Sequence, residues 1–361
     1  MRIAIIHDWL TGMRGGEKCL EVFCELFPDA DIFTLIYNKG AVSPVIEKMD
    51  IRTSFLQKIP GIKSNYRNYL PLFPAAIESF NLKGYDFILS SSHCAAKGVK
   101  IPAEALHICY CYTPMRYAWL FFEEYFDKYN PLKKIAAKAM INYLRKWDLK
   151  TNADVDFFAA ISDNVRLRIK NFYGRQAEVI YPPVDTEQFS LSRKNNGYYL
   201  IVSALVPYKR VDIAIEAFNR LGKKLVVAGA GNCQDELKKT AKKNIEFIDW
   251  VGDKVLKSYY ENSRALIFPG EEDFGIVPLE AQACGKPVIA FAKGGALETL
   301  TAETAVFFKN QSAPGLIEAI NEFETKESAY DPQIIRNNSL RFDRKKFKEK
   351  IKSFIEEILY V

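Results

Sequence analysis

Two glutamates eight positions apart, Glu272 and Glu280, are the residues of this sequence that are best placed to do chemistry. The first lies in an acidic, glycine-containing loop that follows a short apolar run typical of a buried strand. The second lies in a helix-like segment that runs from about Val277 to Cys284 and ends at a glycine-then-proline stop signal. In folds built from such units, ligands bind beyond the carboxyl ends of the strands. One glutamate would therefore reach a ligand from the loop, and the other from the first turns of the helix.

The start of the predicted helix adds a place for an anion. The backbone N–H groups of Phe274, Gly275 and Ile276 would stand at its N-terminus, where they can hold a phosphate. Carboxylates beside an anion-binding helix end suit a ligand that is both phosphorylated and rich in hydroxyl groups, as a sugar nucleotide is. The alternative is that the acidic residues of this loop merely complement the positive end of the helix dipole.

The surrounding stretch resembles one unit of a known enzyme family. The segment FPGEEDFGIVPLEAQACGKPVIA resembles the E-x7-E element of the retaining, family 4 glycosyltransferases of the GT-B fold, with Glu272 and Glu280 at the two acids. The resemblance implies that Glu272 contacts the donor sugar and that Glu280 contacts the nucleotide ribose. It also implies an α/β fold of two Rossmann-like, doubly wound domains facing a cleft, with a C-terminal helix that crosses back to the first domain.

A strand, a Gly-Gly loop and a helix open the chain. Gly15 and Gly16 follow the predicted strand 2–7 and precede a helical segment, but the G-x-G-x-x-G pattern is absent. From the residues alone, the glycine pair is equally well a tight turn that needs positive φ. The stretch HDWLTGMRGGEK resembles the first loop of an O-antigen mannosyltransferase-like subgroup of the family. That resemblance implies that the pair approaches the donor diphosphate.

His93 is the candidate site residue of the N-terminal half. It lies just past a strand predicted over 85–90, where ligands bind in such folds, although a loop histidine alone is more often structural or merely exposed. The resemblance implies that a histidine or acid from this region faces the sugar. The later segment TPMRYAW also resembles the subgroup, but Tyr112 stands where the subgroup usually has histidine, and Leu120 where it usually has aspartate.

Lys209 and Arg210 lie in a loop that follows another predicted strand. Positive charge there is what a leaving diphosphate requires, whereas the residues alone favour an exposed pair beside Asp212. In the family this loop usually carries an arginine and a lysine; Lys209 matches the lysine, and Ala204 replaces the arginine. Either Arg210 compensates, or diphosphate stabilisation is weaker, or the chain is not a fully active enzyme.

Length and composition set the domain organisation. The 361 residues exceed one compact domain, and two are expected. The best linker is Tyr181-Pro182-Pro183, beyond which the strand–loop–helix pattern restarts. We therefore predict an N-terminal acceptor-side domain over 1–182, joined by the crossing helix at 341–361, and a nucleotide-sugar-binding domain over 183–340.

Several classes of function and location are disfavoured. The formal charge of +6 gives no case for nucleic acid, and seven cysteines with three histidines argue against a disulfide framework or a Cys/His metal site. The D-x-D sequence at 154–156 is interpreted as polar residues that precede a strand rather than as a metal site. No signal-peptide pattern opens the chain and no apolar stretch reaches about 18 residues. We therefore expect a cytoplasmic protein that does not span a membrane.

Two basic stretches are open to two interpretations. One runs from Arg52 to Phe73, where cations alternate with aromatic residues, and the other is a basic helix predicted from Pro131 to Lys150. Each is either a solvated face or a surface that contacts an anionic membrane; the first could also contact a lipid diphosphate. The second interpretation would place the protein at the inner face of the cell membrane.

The sequence predicts an enzyme that transfers a hexose, with mannose from GDP-mannose favoured, to a glycan or polyprenyl-diphosphate-linked glycan acceptor in cell-surface polysaccharide synthesis. Transfer would retain the anomeric configuration and use no metal and no cofactor. A GT-B epimerase or phosphorylase, and a catalytically weak sugar-nucleotide-binding subunit, stay open as alternatives. The predicted catalytic residues are Glu272, His93 and Lys209, and the predicted donor-binding residues are Gly15, Gly16, Lys209, Arg210, Phe274, Gly275, Ile276 and Glu280.

Overall fold

The computed structural model describes residues 1–120, 131–249 and 251–359, with the side chains of 131–133 left aside. It divides into two compact units. Unit 1 comprises Met1–Pro182 and the C-terminal residues from Lys348 onward, and unit 2 comprises Pro183–Phe347. The last two residues of the predicted crossing helix lie outside the described residues.

Unit 1 is built on a seven-stranded sheet. Its strands are β1 Ile3–His7, β2 Asp31–Thr34, β3 Asp50–Thr53, β4 Phe87–Ser92, β5 Leu106–Cys111, β6 Phe157–Ala160 and β7 Glu178–Val179. They lie in the order β3-β2-β1-β4-β5-β6-β7, and every neighbouring pair runs parallel. This order reverses between β1 and β4, which makes the sheet doubly wound.

Helices connect the strands of this sheet and cover it. They are α1 Gly15–Leu26, α2 Pro44–Glu47, α3 Ile62–Asn65, α4 Phe73–Glu78, α5 Arg116–Trp119, α6 Pro131–Lys150 and α7 Asp163–Tyr173. Because a parallel sheet is covered on both faces, its central strands are buried; β4 buries all six of its residues, three apolar ones followed by three serines.

Unit 2 repeats this architecture with six strands. They are β8 Tyr198–Val202, β9 Lys224–Ala228, β10 Ile245–Ile248, β11 Leu266–Phe268, β12 Val288–Phe291 and β13 Ala305–Phe308. The order is β10-β9-β8-β11-β12-β13, again with all neighbours parallel. The helices are α8 Val211–Leu221, α9 Gln234–Thr240, α10 Asp253–Asn262, α11 Ile276–Ala283, α12 Ala296–Thr299, α13 Ala313–Lys326 and α14 Pro332–Ser339, and α15 Arg344–Leu359 follows as the last helix of the chain.

The glycine pair near the start of the chain is not a tight turn. Gly15 and Gly16 are the first two residues of α1, which begins two residues earlier than predicted. Neither is among the positive-φ glycines of the described residues. The capping interaction explains the earlier start, because the backbone N–H of Arg14 donates to the carboxylate of Glu17 at 2.9 Å.

The two basic stretches differ in what they expose. Between Arg52 and Phe73, the rings of Tyr66 and Phe73 are buried in the core of unit 1, while the cations after Arg52 point to solvent. Helix α6 buries Ile141 and Leu144 but leaves Ile135 exposed. Within the described residues, no helix is both long and apolar enough to cross a membrane.

Candidate functional site

The second sheet reverses its order between the neighbouring strands β8 and β11. The loops after these strands, 203–210 and 269–275, therefore leave the sheet side by side at its carboxyl edge. In open α/β sheets this switch point is where ligands bind. Each loop contributes a predicted residue, Lys209 from the first and Glu272 from the second.

The Lys209 ammonium and the Glu272 carboxylate form an ion pair across the two loops. The two side chains are 14% and 22% exposed, so both remain accessible to a small ligand while shielded from bulk water. The loops meet closely, because a Cβ at Gly270 would lie 2.9 Å from the carbonyl oxygen of Lys209. The sequence predicted both residues for the site but not their direct contact.

A second glycine pair, after β12, fixes the backbone of Glu272. The N–H of Gly295 donates to the carbonyl oxygen of Glu272 at 2.8 Å. Gly294 has a φ of +67°, and a Cβ added there would overlap that same carbonyl oxygen. A residue with a side chain at either position would push the Glu272 loop away from the sheet, so these glycines have a positioning role.

Glu280 occupies a different environment on helix α11. Its side chain is almost fully buried, and its carboxylate accepts a hydrogen bond from the hydroxyl of Tyr260 at 2.9 Å. Burial is the main cause that raises the pKa of Tyr260 well above its ordinary value, and the nearby charge of Glu280 is the second cause. The Tyr260 hydroxyl therefore remains a hydrogen-bond donor. Glu272 thus has a cationic partner on a loop, whereas Glu280 has a neutral partner within packed structure.

The three predicted anion-binding residues lie around the N-terminus of α11. The helix begins at Ile276, after Gly275 with a φ of +96°. Its first N–H groups lack intrahelical acceptors and stand at the positive end of the helix dipole. The ring of Phe274 is buried against Phe342, with ring centroids 5.5 Å apart, which anchors the residue that precedes the glycine.

Arg210 does not share the surroundings of Lys209. Its guanidinium donates to the carboxylate of Asp212, from Nε and from Nη2, each at 3.1 Å. Its backbone is left-handed, with a φ of +52°, which costs energy for a residue with a Cβ. Ala204 is exposed in the same loop. The sequence allowed Lys209 and Arg210 to be an exposed pair beside Asp212. Arg210 does pair with Asp212, whereas Lys209 pairs with Glu272.

In unit 1, the switch point lies between β1 and β4. Asp8 directly follows β1, and His93 directly follows β4, so the two residues meet at the carboxyl edge of the sheet. The Asp8 carboxylate lies 3.0 Å from Nδ1 of His93. With Nδ1 facing a carboxylate, the proton of the neutral imidazole resides on Nδ1, and Nε2 is the hydrogen-bond acceptor.

Asp8 is the site residue that sequence reasoning missed. It is fully buried, and its carboxylate accepts four backbone N–H groups, from residues 93–96, at 2.5 to 3.0 Å. Burial alone would raise the pKa of Asp8, but the charge and hydrogen bonds of His93 and the backbone outweigh burial and lower it to about 2. Its place directly after a predicted strand was the signal available in the sequence.

The ring of His93 is held by an aromatic wall. The indole of Trp9 meets it edge-on, with ring centroids 4.4 Å apart, and the ring of Tyr112 lies 6.2 Å away. The His93 side chain is 31% exposed. This histidine is therefore oriented by Asp8 and Trp9 while one edge of the ring remains open to a ligand.

A buried polar chain connects this edge of the sheet to the start of α1. His7 Nδ1 lies 2.9 Å from the hydroxyl of Ser91, which lies 2.8 Å from that of Tyr112. The Tyr112 hydroxyl also donates to the carbonyl oxygen of Gly16 at 2.9 Å. Burial acts to raise the pKa of Glu17, but the adjacent His7 imidazole outweighs it and lowers that pKa. Tyr112 thus ties the glycine pair to the sheet.

The D-x-D sequence at 154–156 makes its hydrogen bonds within unit 1. Among the residues that the structure describes, no group of three or more His, Cys, Asp or Glu side chains could hold an ion. In the D-x-D sequence, the Asp156 carboxylate accepts a hydrogen bond from the backbone N–H of His107 at 2.8 Å. The backbone carbonyl oxygen of Asp154 lies 2.7 Å from Nδ1 of the same histidine. These aspartates connect β5 to the start of β6.

One family model matches most of unit 2. Residues 184–341 match the family model described as Glycosyl transferases group 1. A GDP-mannose-dependent monoacylated alpha-(1-6)-phosphatidylinositol monomannoside mannosyltransferase of Corynebacterium glutamicum is 28% identical over 205 residues, covering 48% of this chain and 54% of that protein. The O-antigen chain mannosyltransferase RfbU of Salmonella typhimurium is 27% identical over 164 residues, covering 42% and 46%. The chain spans about half the length of these curated relatives.

Solved structures extend the likeness to the whole chain. Anabaena HepE, solved in complex with UDP, superimposes with a TM-score of 0.71 at 16% identity, covering 99% of this chain and 100% of that one. A likeness at this identity concerns the fold alone. Together with the two parallel, doubly wound sheets, it confirms the predicted GT-B fold.

Proposed function

We propose that this protein is a retaining glycosyltransferase that moves a hexose from a nucleotide sugar to a glycan or lipid-linked glycan acceptor. The observation that carries the proposal is the Lys209–Glu272 ion pair at the switch point of the second sheet, beside the N-terminus of α11. A cation, a carboxylate and a helix end at one place suit a ligand with a diphosphate and a sugar. We assign the chain to family 4 and its O-antigen mannosyltransferase-like subgroup.

The favoured donor is GDP-mannose. The two relatives described above are named as mannosyltransferases, one of them GDP-mannose-dependent, and both align with about half of this chain. Because these relatives are transferases, the epimerase, the phosphorylase and the silent binding subunit are not favoured. The transfer would serve the synthesis of a cell-surface polysaccharide.

In the proposed reaction, unit 2 binds the donor. The helix N-terminus at Phe274–Ile276 and the Lys209 ammonium stabilise the diphosphate, and Glu280 accepts hydrogen bonds from the nucleotide ribose. Glu272, whose carboxylate forms an ion pair with Lys209, accepts hydrogen bonds from the hydroxyls of the hexose. Arg210 is assigned to the outer edge of the diphosphate site, where it would first have to leave Asp212.

Unit 1 is assigned to the acceptor side. Nε2 of His93, oriented by Asp8, would contact the transferred sugar, and the N-terminus of α1 at Gly15 and Gly16 would approach the diphosphate. The bond between the sugar C1 and the diphosphate oxygen breaks, and a bond from C1 to the acceptor oxygen forms on the same face. The acceptor proton passes to the leaving diphosphate, which serves as the base. Glu272, already paired with Lys209, is assigned to sugar binding rather than to nucleophilic attack.

The test is a transfer assay with purified protein, GDP-mannose or UDP-hexoses, and an extract of lipid-linked glycans, with and without EDTA. We expect acceptor-dependent release of GDP, an α-linked product by NMR, and no loss of activity with EDTA, since no metal or cofactor is proposed. Inverted product stereochemistry would exclude the retaining mechanism. Conversion of the free nucleotide sugar without an acceptor would instead favour an epimerase.

A further inference from the structure

Unit 1 contains a polar pocket of about 400 Å³ that the reaction as proposed does not use. The loop after β1 forms one wall through Thr11 and Arg14. The segment 63–68, which includes α3, forms the other through Lys63 and Arg67. The volume falls within the range of small-molecule sites.

The charge of this pocket has one sign. Its lining carries three cations, Arg14, Lys63 and Arg67, and no carboxylate among the described residues. The rest of the lining consists of hydroxyl and amide side chains with the ring of Tyr66, and these can donate hydrogen bonds to an oxyanion. Guanidinium and ammonium groups that line one open cavity favour a phosphate ester, since charge-assisted hydrogen bonds to phosphate are strong.

The pocket is connected to the proposed acceptor side by a row of aromatic rings in contact. Tyr66 in its lining packs against Trp9, with ring centroids 5.0 Å apart. The same Trp9 packs against His93, at 4.4 Å. One loop supplies both Trp9 and the wall residues Thr11 and Arg14, and Trp9 separates the pocket residue Tyr66 from the histidine assigned to the transferred sugar.

We propose that this pocket binds the phosphate or diphosphate of the acceptor, so that the acceptor is a phosphate ester such as a lipid-linked glycan. The identification of the ligand as the acceptor rests on the proposed function. Binding of a phosphate or diphosphate in the pocket does not require sugar transfer. Its ligand is distinct from the donor, whose diphosphate is assigned to unit 2 and to the N-terminus of α1 at Gly15 and Gly16, beside the Arg14 end of the pocket.

Calorimetry with geranyl diphosphate, inorganic pyrophosphate, geraniol and GDP tests the site on the full chain. Wild-type protein should bind both diphosphates and not geraniol. The double variant Lys63→Gln/Arg67→Gln should bind them about 10-fold more weakly or worse, because two charge-assisted contacts are lost. The matched control Lys58→Gln/Lys83→Gln removes the same charge from two exposed residues outside the pocket and should bind like the wild type.

Each outcome decides a separate point. Equal affinities for the two double variants, or no diphosphate binding by the wild type, would overturn the site. Loss of GDP binding in Lys63→Gln/Arg67→Gln would also overturn it, because the pocket would then serve the donor. Tighter binding of geranyl diphosphate than of pyrophosphate would identify a lipid ester as the source, and the reverse a free phosphate. Diphosphate binding without any sugar transfer would refute the proposed function and leave the site standing.

Discussion

The carboxylate of Asp8 lies 3.0 Å from Nδ1 of His93, at the point where the order of the first sheet reverses. The two residues are 85 positions apart in the chain, and adjacent parallel strands bring them together. Asp8 also accepts the N–H groups of the loop that carries His93. One buried carboxylate therefore fixes both the position of the histidine and the nitrogen that carries its proton.

The first prediction concerns the stability that this carboxylate provides. Its pKa is lowered from 3.8 to about 2 in the folded protein, so its ionised form stabilises the fold above about pH 4. That contribution, about 2 kcal/mol, should be lost as the pH falls from about 4 to about 2. Urea unfolding across this range should show the loss in wild-type protein.

Asp8→Asn should be less stable at neutral pH and should show less of this pH dependence. Asp29→Asn, a change at an exposed carboxylate of the same unit, serves as the control and should behave like the wild type. A wild-type stability that does not change between pH 4 and pH 2 would contradict the assigned role of Asp8.

The second prediction separates the two glutamates. Glu272→Gln should keep the fold and most of the nucleotide affinity but lose transfer by about 10²–10³-fold, because a preorganised charge at the reacting sugar is removed. Glu271→Gln, which changes an acid paired with Lys293, is the matched control and should keep wild-type turnover. Steady-state kinetics with wild-type turnover for Glu272→Gln would refute the assignment.

The third prediction concerns Glu280. Its replacement by glutamine preserves an acceptor for the Tyr260 hydroxyl and should mainly weaken donor binding. Replacement by alanine should also destabilise unit 2 by about 1–3 kcal/mol, because the buried hydroxyl loses its partner. Nucleotide titrations and thermal unfolding of both variants measure the two effects. Unchanged affinity in both would mean that Glu280 is structural only.

The spacing of the two glutamates was readable from the sequence because both lie within one strand–loop–helix unit, where local pattern decides position. Lys209 and His93 were readable because each follows an apolar strand. Asp8 also follows an apolar strand, but its role could not be predicted from that position, since its partners lie far along the chain and its burial comes from tertiary packing. The same reason applies to the Lys209–Glu272 contact, which depends on the reversal of strand order.

Sequence pattern left two features of local structure undecided. A Gly-Gly pair favours a turn by propensity, yet capping by Glu17 extends α1 over Gly15 and Gly16. In α6, apolar residues are spread around the helix, so periodicity did not identify which of them pack inward. The core of unit 1 selects Ile141 and leaves Ile135 at the surface.

The fourth prediction concerns the loop in which Ala204 replaces the usual arginine. Because Arg210 is paired with Asp212, we expect Ala204→Arg to tighten nucleoside-diphosphate binding by adding a charge-assisted contact. Arg210→Ala should then have a small effect, and a severe effect would mean that Arg210 already fills the missing place. Calorimetry with GDP distinguishes these results. If both changes are silent, the diphosphate lies elsewhere.

The last prediction concerns attachment to a membrane. On α6, the exposed side chains Ile135 and Tyr143 lie among the exposed cations Lys138 and Lys146, which is the composition of a helix that rests on an anionic surface. Each cation near such a surface contributes about 1 kcal/mol, and salt weakens the effect. We therefore expect the wild type to co-sediment with anionic but not neutral vesicles at low salt.

Two sets of charge reversals identify the contacting surface. Lys138→Glu with Lys146→Glu tests α6, and the combined change of Lys58, Lys63 and Arg67 to glutamate tests the other basic stretch. Lys83→Glu with Lys170→Glu alters two exposed residues of unit 1 elsewhere and is the control for net charge. The set that abolishes co-sedimentation marks the surface, because a general charge effect would appear in the control as well. A wild type that ignores anionic vesicles at low salt would mean that both stretches are simply solvated.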